Sequence, residues 1–343
     1  MLFASNSWIP SGDSAFFSSQ SKGGTCEISS HFDASKSDLS PPSVHNRTSG
    51  SMDPWDMEHL PPPPLVDGQP QNHSILYIHV GKTGGITLDK VLQSNCQWYE
   101  AEFKRRQCLQ EQHSSSTLSS LTKATLHFGP RQDYNAWIHN VTMFLITLRN
   151  PISRVVSAFN FDHPSNNPLF IAKKLPWSTR HFFVECFPTI QHMAAVLDLA
   201  EQPNHRLSRK QRTCYETARQ VLAGTSSSDV APQLRMNLQF YHHWTMALYP
   251  DRPVLVIRTE YLWGDVVNID RALGGSGNFD KVVGAVYTHG SQLHSVRQGL
   301  TPRGKQILCC YLWKEVQLYE QIVQRAVNLS PPEKQETMAA VYS

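Results

Sequence analysis

A short apolar run that ends in a glycine-rich turn constrains the fold of this chain most strongly. Residues 75–80, Ile-Leu-Tyr-Ile-His-Val, lead directly into the turn Gly-Lys-Thr-Gly-Gly at 81–85. The residues that follow place apolar side chains at 88, 91 and 92, which is helical spacing. This segment is therefore predicted to fold as a strand, a glycine loop and a helix.

A loop of this kind is typical of an anion site, because backbone N–H groups and the positive end of the helix dipole converge there. Lys82 adds a full positive charge, and Thr83 and Thr87 offer hydroxyl donors. Gly84 and Gly85 let a phosphate approach the backbone closely. The predicted anion loop comprises Gly81, Lys82, Thr83, Gly84, Gly85, Ile86 and Thr87.

The main alternative is the loop of a nucleoside-triphosphate enzyme, such as a P-loop nucleotide kinase. Its pattern G-x-x-x-x-G-K-[ST] requires a glycine five positions before Gly81. That position is Leu76, inside the predicted strand, so the loop is too short to wrap a triphosphate. A kinase would also need a magnesium-holding Asp at a strand end, which the sequence does not make evident.

A second anion site is predicted where another buried strand ends. Residues 141–148 are a nearly continuous apolar run, followed by Arg149, Asn150 and Pro151. Pro151 suits the first turn of a helix, which would carry Ser157 about two turns further on. Arg149 at the strand end and Ser157 on the helix can grip one phosphate from two sides. The alternatives are a salt bridge for Arg149 and an ordinary helix position for Ser157.

Further strands are predicted at 124–128 and 253–258, with helices between about 165 and 250 and a long amphipathic helix over 302–327. Strands that alternate with helices indicate a parallel sheet covered on both faces. The fold class is therefore α/β, a P-loop-like three-layer fold with a central parallel sheet flanked by helices. Residues 1–70 hold fifteen serines and nine prolines and are predicted to be a disordered leader. The domain is placed at 71–330 and a C-terminal tail at 331–343.

The composition of the chain bears on two functional classes, nucleic-acid-binding proteins and metal-binding proteins. The net charge of +3 gives no argument for nucleic-acid binding, and the seven cysteines contain no CxxC pair, so no metal site is expected. Sequons at 46, 72, 140 and 328 permit a secretory protein, and Cys96 with Cys108 is the first disulfide to test, free thiols being the alternative. No run of eighteen apolar residues is visible, so the protein is soluble or its chain begins upstream of Met1.

The segments His79–Gly85 and Leu148–Ser157 together resemble the two nucleotide-binding motifs of the Golgi carbohydrate sulfotransferases. The resemblance is closest to the heparan sulfate 2-O- and 6-O-sulfotransferases. It implies 3′-phosphoadenosine 5′-phosphosulfate (PAPS) as co-substrate, with Lys82 and its loop on the 5′-phosphosulfate and with Arg149 and Ser157 on the 3′-phosphate. The segment 294–299 resembles a late basic loop that closes over the nucleotide, which makes Arg297 a further phosphate ligand.

Sulfuryl transfer needs a base that removes the proton of the acceptor hydroxyl, and histidine suits this role because its pKa lies near neutrality. His127 is our choice, since it ends a short strand between the two motifs, where the resembled 6-O-sulfotransferases carry theirs. His79 and His163 remain alternative candidates for the base. For each of these histidines, the non-catalytic alternative is a histidine packed in the core. Lys82 would also neutralise charge on the leaving group and is the second catalytic candidate.

The resemblance further implies a glycan acceptor and residence in the Golgi lumen, with a membrane anchor and glycosylation. No nucleic acid and no stable protein partner is expected. A non-catalytic nucleotide- or glycan-binding module on the same fold remains the third hypothesis.

Overall fold

The computed structural model describes residues that all fall within one compact unit, Ser51–Ser343. The described residues are 65–66, 69–70, 74–84, 88, 92, 118, 121–126, 138–165, 176–226, 230–243, 245–277 and 299–342.

A parallel sheet forms the centre of the fold. Its strands are β3 (Ile75–Ile78), β4 (Thr122–Leu126), β5 (Met143–Leu148) and β6 (Val254–Arg258), in the order β4-β3-β5-β6. All neighbouring pairs are parallel; Tyr77 lies opposite Leu145, and Leu145 opposite Leu255. The carboxyl ends of all four strands therefore lie at one edge of the sheet, where ligands bind in open α/β folds.

Both faces of the sheet are buried, as the continuous apolar strands predicted. Phe144 and Ile146 of β5 belong to one hydrophobic cluster, and Met143 and Leu145 to a second cluster. The alternation follows from the two-residue period of a strand, which sends successive side chains to opposite faces. The three-layer α/β fold expected from the sequence is confirmed.

Helices cover both faces and extend the fold on one side. A third hydrophobic cluster joins Phe159 to Phe182 and Phe183, away from the sheet. A π-helical turn, His181–Cys186, and a 3₁₀ turn, Thr259–Tyr261, interrupt the regular helices. The α-helices are α1 (Pro151–Asp162), α2 (Trp177–Arg180), α3 (Ile190–Glu201), α4 (Arg209–Leu222), α5 (Pro232–Arg235), α6 (Leu238–His242), α7 (Leu262–Ala272), α8 (Pro302–Tyr311), α9 (Trp313–Arg325) and α10 (Pro331–Tyr342).

The long helix expected over 302–327 is two helices, α8 and α9, which meet at Leu312. The side chain of Leu312 is fully buried, and its backbone lies outside the regular helical range, at φ −95° and ψ 8°. The break lets α8 pack in the cluster around Phe159 while α9 packs in the cluster on the sheet. A repeating apolar pattern continues through such a break, so the sequence does not reveal it.

Described segments lie beyond both of the predicted domain limits. Within the supposed leader, β1 (Leu65–Val66) pairs antiparallel with β2 (Gln69–Pro70). The supposed tail forms α10, whose Val341 is 2% exposed in the main core and whose Glu333 lies 3.1 Å from Arg258 of β6. The domain therefore includes α10, because part of its core would otherwise be uncovered.

One disulfide of the described residues joins Cys186 at the end of the π-helical turn to Cys214 of α4. Cys310 is also disulfide-bonded. The predicted pair Cys96–Cys108 lies outside the described residues, so it stays a prediction.

Candidate functional site

The loop after β3 turns sharply at the carboxyl edge of the sheet. Lys82 and Gly84 both have positive φ, 65° and 82°. Such a conformation is costly for a residue with a Cβ, so the fold holds Lys82 in a constrained backbone. The backbone N–H of Gly81 donates to the carbonyl of Met236 at 3.1 Å, which anchors the start of the loop.

The loop glycines are required by packing against the protein itself. A Cβ at Gly81 would lie 2.9 Å from the backbone oxygen of Gln233, and one at Gly84 would lie 2.9 Å from Cδ1 of Leu262. The sequence suggests ligand approach as the reason for Gly84. In the structure the absent side chain makes room for Leu262, and the positive φ at Gly84 adds a second requirement.

The Thr83 hydroxyl points into the core instead of toward a ligand. It donates to the carbonyl of Val80 at 2.8 Å and lies 2.6 Å from the hydroxyl of Thr147. Thr83 is 1% exposed. The predicted hydroxyl donor is therefore committed to the scaffold, and a ligand in the loop would meet Thr83 through its backbone.

The two predicted anion motifs meet at this edge. Nη1 of Arg149, directly after β5, donates to the backbone oxygen of Lys82 at 3.3 Å. Thr259, directly after β6, ties the same two segments together, because its hydroxyl is within 2.9 Å of the Thr83 carbonyl and 2.8 Å of the Leu148 carbonyl. The sequence separates Lys82 from Arg149 by 67 positions, yet the sheet places them side by side.

Helix α1 lies beside the loop and contributes residues to the site. Its N-cap is Asn150, whose side chain accepts from the backbone N–H of Ile152 and Ser153. The ammonium of Lys82 lies 3.9 Å from the ring centroid of Phe161, a cation–π contact. Ser157 lies four residues before Phe161, so the two share one face of the helix. That face places Ser157 on the same side of α1 as Lys82.

Two charged residues of α1 to which the sequence assigns no role are buried. Arg154 is 1% exposed and forms a two-pronged ion pair with Glu315 of α9, at 2.7 and 3.1 Å. Asp162 is also 1% exposed and accepts hydrogen bonds from the backbone N–H of Gln233 and Leu234 at 2.8 and 3.3 Å. Their spacing in the sequence could have indicated this burial. Both residues belong to the set that forms the buried face of α1: 154, 155, 158, 159 and 162.

Burial and charge set the protonation of this cluster. Burial raises the pKa of Asp162 to about 7, against the opposite effects of its backbone hydrogen bonds and of the Lys82 charge. Burial lowers the pKa of Lys82, while the negative charge of Asp162 raises it and the positive charge of Arg149 lowers it. Lys82 therefore interacts electrostatically with both Asp162 and Arg149 in a partly dry environment.

Several predicted site residues lie outside the described residues: Gly85, Ile86, Thr87, His127 and Arg297. Strand β4 ends at Leu126, directly before His127. The competitor His79 is 3% exposed and stacks on Tyr77. The competitor His163 packs against Phe159 and Phe183, and burial lowers its pKa. Both competitors thus contact core aromatic rings, which agrees with the alternative of packed histidines.

The comparison with known families bears on both motifs at once. Residues 69–186 match the sulfotransferase family. This sulfotransferase match covers less than half of the chain, and it includes the loop around Lys82, strand β5, Arg149 and the whole of α1. It supports a sulfotransferase enzyme, and sulfuryl transfer as its general reaction. No curated protein matches the chain, and no solved structure matches it either.

Three further observations concern the cellular setting expected for this chain. No described helix is long and apolar enough to cross a membrane. The sequon at Asn328 is not a glycosylation acceptor in the folded protein, because Asn328 is buried and its amide pairs with both backbone groups of Val256, at 2.7 and 2.8 Å. His181, Cys186 and Cys214 lie within metal-ligand reach of one another, but the two sulfurs are bonded together in the disulfide.

Proposed function

We propose that this protein is a sulfotransferase that moves a sulfuryl group from PAPS to a hydroxyl group of a glycan. The observation that carries the proposal is the contact between Arg149 and the backbone of Lys82, inside a region that matches the sulfotransferase family. A donor with a phosphate on the 3′ oxygen and a phosphosulfate on the 5′ oxygen of its ribose needs two cationic positions near each other. This edge of the sheet provides them.

The described residues fit such a donor. Lys82 and the backbone of its loop would hold the 5′-phosphosulfate, and Arg149 with Ser157 would hold the 3′-phosphate. The ammonium of Lys82 would also stabilise the negative charge that develops on the departing phosphate oxygen. Thr259 would fix the distance between the two phosphate positions, because it bonds to both segments.

In the proposed reaction PAPS is the donor of the sulfuryl group, whose sulfur is bonded to the oxygen that bridges sulfur and phosphorus. His127 would take the proton of the acceptor hydroxyl, and the acceptor oxygen would form the new bond to sulfur. The bond between sulfur and the bridging oxygen would break at the same time, with adenosine 3′,5′-bisphosphate as the leaving product. The roles of Gly85, Ile86, Thr87 and Arg297 as further phosphate ligands belong to the same proposal.

A glycan is the proposed acceptor, and the Golgi lumen the proposed address, because of the resemblance to carbohydrate sulfotransferases. The exposed indole of Trp177, at 72% exposure, is a surface on which a sugar ring can stack. Transfer of radiolabelled sulfate to a heparan-type polysaccharide, compared with a tyrosine peptide and a steroid alcohol, tests the acceptor class. Transfer to the peptide or the steroid alone would contradict it.

Nucleotide binding tests the donor site directly. Adenosine 3′,5′-bisphosphate at about one hundred times its Kd is expected to stabilise the native state by about 2.7 kcal/mol, with a matching rise in Tm. ATP should give a smaller rise. Lys82→Ala should remove most of the effect, whereas Lys305→Ala, which changes an exposed lysine of α8, should keep it. Stronger stabilisation by ATP would favour a nucleotide kinase instead.

Loss of the base tests the reaction separately from binding. His127→Ala is expected to lower kcat by about 100-fold or more, with little change in bisphosphate affinity, because general-base catalysis contributes about that factor. The matched control is His205→Ala, which alters an exposed histidine after α3. Wild-type turnover in His127→Ala would reject this base. Normal bisphosphate binding without transfer to any acceptor would favour a non-catalytic module.

A further inference from the structure

The carboxyl group of Asp162 uses only one of its two oxygens. Oδ2 accepts from the backbone N–H of Gln233 and Leu234, whereas Oδ1 is buried and has no hydrogen-bond partner among the described residues. A buried polar atom without a partner is costly and rare in folded proteins. The unpaired oxygen therefore requires an explanation that a purely structural carboxylate does not supply.

The charges that act on Asp162 come from two elements. Arg154 faces it from α1 itself, but the charge of Arg154 is matched by its ion pair with Glu315 of α9. Lys82 acts on it from the predicted anion loop at 81–87, called the phosphate loop below, and Arg149 acts on Lys82 from the end of β5. The next residue, His163, points its ring at Phe159 and Phe183. Lys82 is therefore the positive charge that chiefly favours the ionised form of Asp162.

Asp162 also helps to position the phosphate loop. It holds the backbone N–H groups of Gln233 and Leu234, while Arg154 holds the carbonyls of the same two residues at 3.3 and 3.4 Å. The segment fixed in this way touches the start of the loop, since Gly81 donates to Met236 and has no room for a Cβ beside Gln233. Oδ2 therefore serves the scaffold, and Oδ1 remains for another role.

A phosphate group beside Lys82 would change the protonation of this carboxyl group. Burial disfavours the carboxylate form, and the positive charge of Lys82 is one of the influences that favour it. A bound anion cancels the field of Lys82 and adds its own negative charge. Both effects favour the neutral acid. Since the pKa of Asp162 is about 7 without a ligand, the carboxyl group is partly ionised near neutral pH and can respond.

We propose that Asp162 is a positioning residue of the phosphate loop that takes up a proton on Oδ1 when a phosphate-bearing nucleotide binds beside Lys82. The proton comes from solvent, and no other bond is made or broken. Oδ2 continues to accept from Gln233 and Leu234, so the loop keeps its support while the negative charge next to the incoming anion disappears. This inference rests on the proposed donor site, and it makes nucleotide binding stronger as the pH falls through neutrality.

Calorimetric titration with adenosine 3′,5′-bisphosphate in buffers of different ionisation enthalpy counts the protons taken up. A pH of about 7.5 is suitable, because the phosphates, with a second pKa of about 6, are then already ionised. We expect uptake of about half a proton or more per nucleotide for the wild-type protein. Asp162→Asn should lose most of this uptake, whereas Asp198→Asn, at the ion pair with Arg303, should retain it.

The possible results separate the two proposals. Binding without proton uptake by the wild-type protein, or unchanged uptake in Asp162→Asn, overturns the role of Asp162 and leaves the donor site standing. Absence of bisphosphate binding by the wild-type protein overturns the donor site and this role together. If Asp162→Asn does not fold, carboxyl-carbon NMR of the wild-type protein decides, since the pKa of Asp162 must rise when the bisphosphate is added. An unchanged pKa rejects the proposal.

Discussion

At the scale of single residues, the site depends on ionisable groups that are only partly hydrated. Lys82 combines positive φ, an aromatic contact with Phe161 and a pKa lowered by burial. Such a lysine is pre-positioned, so little conformational entropy is lost when it meets an anion. Asp162 has the opposite effect on the pKa of Lys82, because its negative charge helps to keep Lys82 protonated. The protonation states of the two residues are therefore coupled.

The stability of the protein is expected to depend on the ionisation of Asp162. Its pKa is raised from the ordinary value of 3.8 to about 7, so the folded state binds more protons than the unfolded state between these limits. The resulting stabilisation is complete at low pH and is lost as the pH rises through about 7. Asparagine does not titrate. The free energy of unfolding of the wild-type protein, minus that of Asp162→Asn, should therefore fall between pH 4 and about 7.

Urea unfolding of both proteins across this pH range provides the measurement. The comparison with Asp162→Asn cancels the contributions of the other titrating groups. A free-energy difference that stays constant with pH would show that the carboxyl group is ionised at an ordinary pKa in the folded protein.

At the scale of secondary-structure elements, the site is held by α1. Helix α1 carries Phe161 to its cation–π contact with Lys82 and carries Arg154, one of its buried residues, into the core. The pair Arg154–Glu315 joins α1 to α9 across a dry interface, where the two side chains are 1% and 0% exposed. Buried ion pairs contribute little net stability, but they become very costly when one partner is removed.

Arg154→Met is therefore expected to lower the free energy of unfolding by about 3–5 kcal/mol, because Glu315 would remain charged and buried. The double change Arg154→Met with Glu315→Leu should recover a clear part of that loss, since no charge is then stranded. Denaturant unfolding of both single variants and the double variant tests this. If the double variant loses as much as the two single variants added together, the two side chains do not act as a pair.

At the scale of the whole molecule, the last helix, α10, packs back onto the core. Val341 belongs to the main core, and Asn150, the N-cap of α1, donates from its amide to the backbone oxygen of Ala340 at 2.6 Å. Arg258 at the end of β6 pairs with Asp265 at 2.7 Å and with Glu333 of α10 at 3.1 Å. The last helix thus supports the strand end and the helix start that frame the candidate site.

Deletion of residues 331–343 is expected to lower Tm by about 5 °C or more, because core side chains would be uncovered and Arg258 would lose one partner. Deletion of residues 1–60, which the sequence predicts to be disordered, is the matched control and should change Tm by less than about 2 °C. Thermal unfolding followed by circular dichroism distinguishes the two outcomes. Equal losses from both deletions would contradict a folded domain that includes α10 and excludes residues 1–60.

The sequence alone determined the local units of this protein. Continuous apolar runs predicted the buried strands β3, β5 and β6, and the alternation with helical segments predicted a parallel sheet. The loop at Lys82 and the strand end at Arg149 were also visible, because glycine, proline and charge mark such positions within a few residues. These features depend on local conformational preference and on burial, which a linear pattern records.

Only the tertiary structure decided which of these residues meet. The hydrogen bond of Thr259 to Thr83 spans 176 positions, and that of Asp162 to Gln233 spans 71. The inward turn of the Thr83 hydroxyl and the burial of Arg154 depend on neighbours brought in by strand order and helix packing. Contacts of this kind leave no period in the sequence, because their partners come from distant segments. The coupling between Asp162 and Lys82 therefore exists only once the sheet has formed.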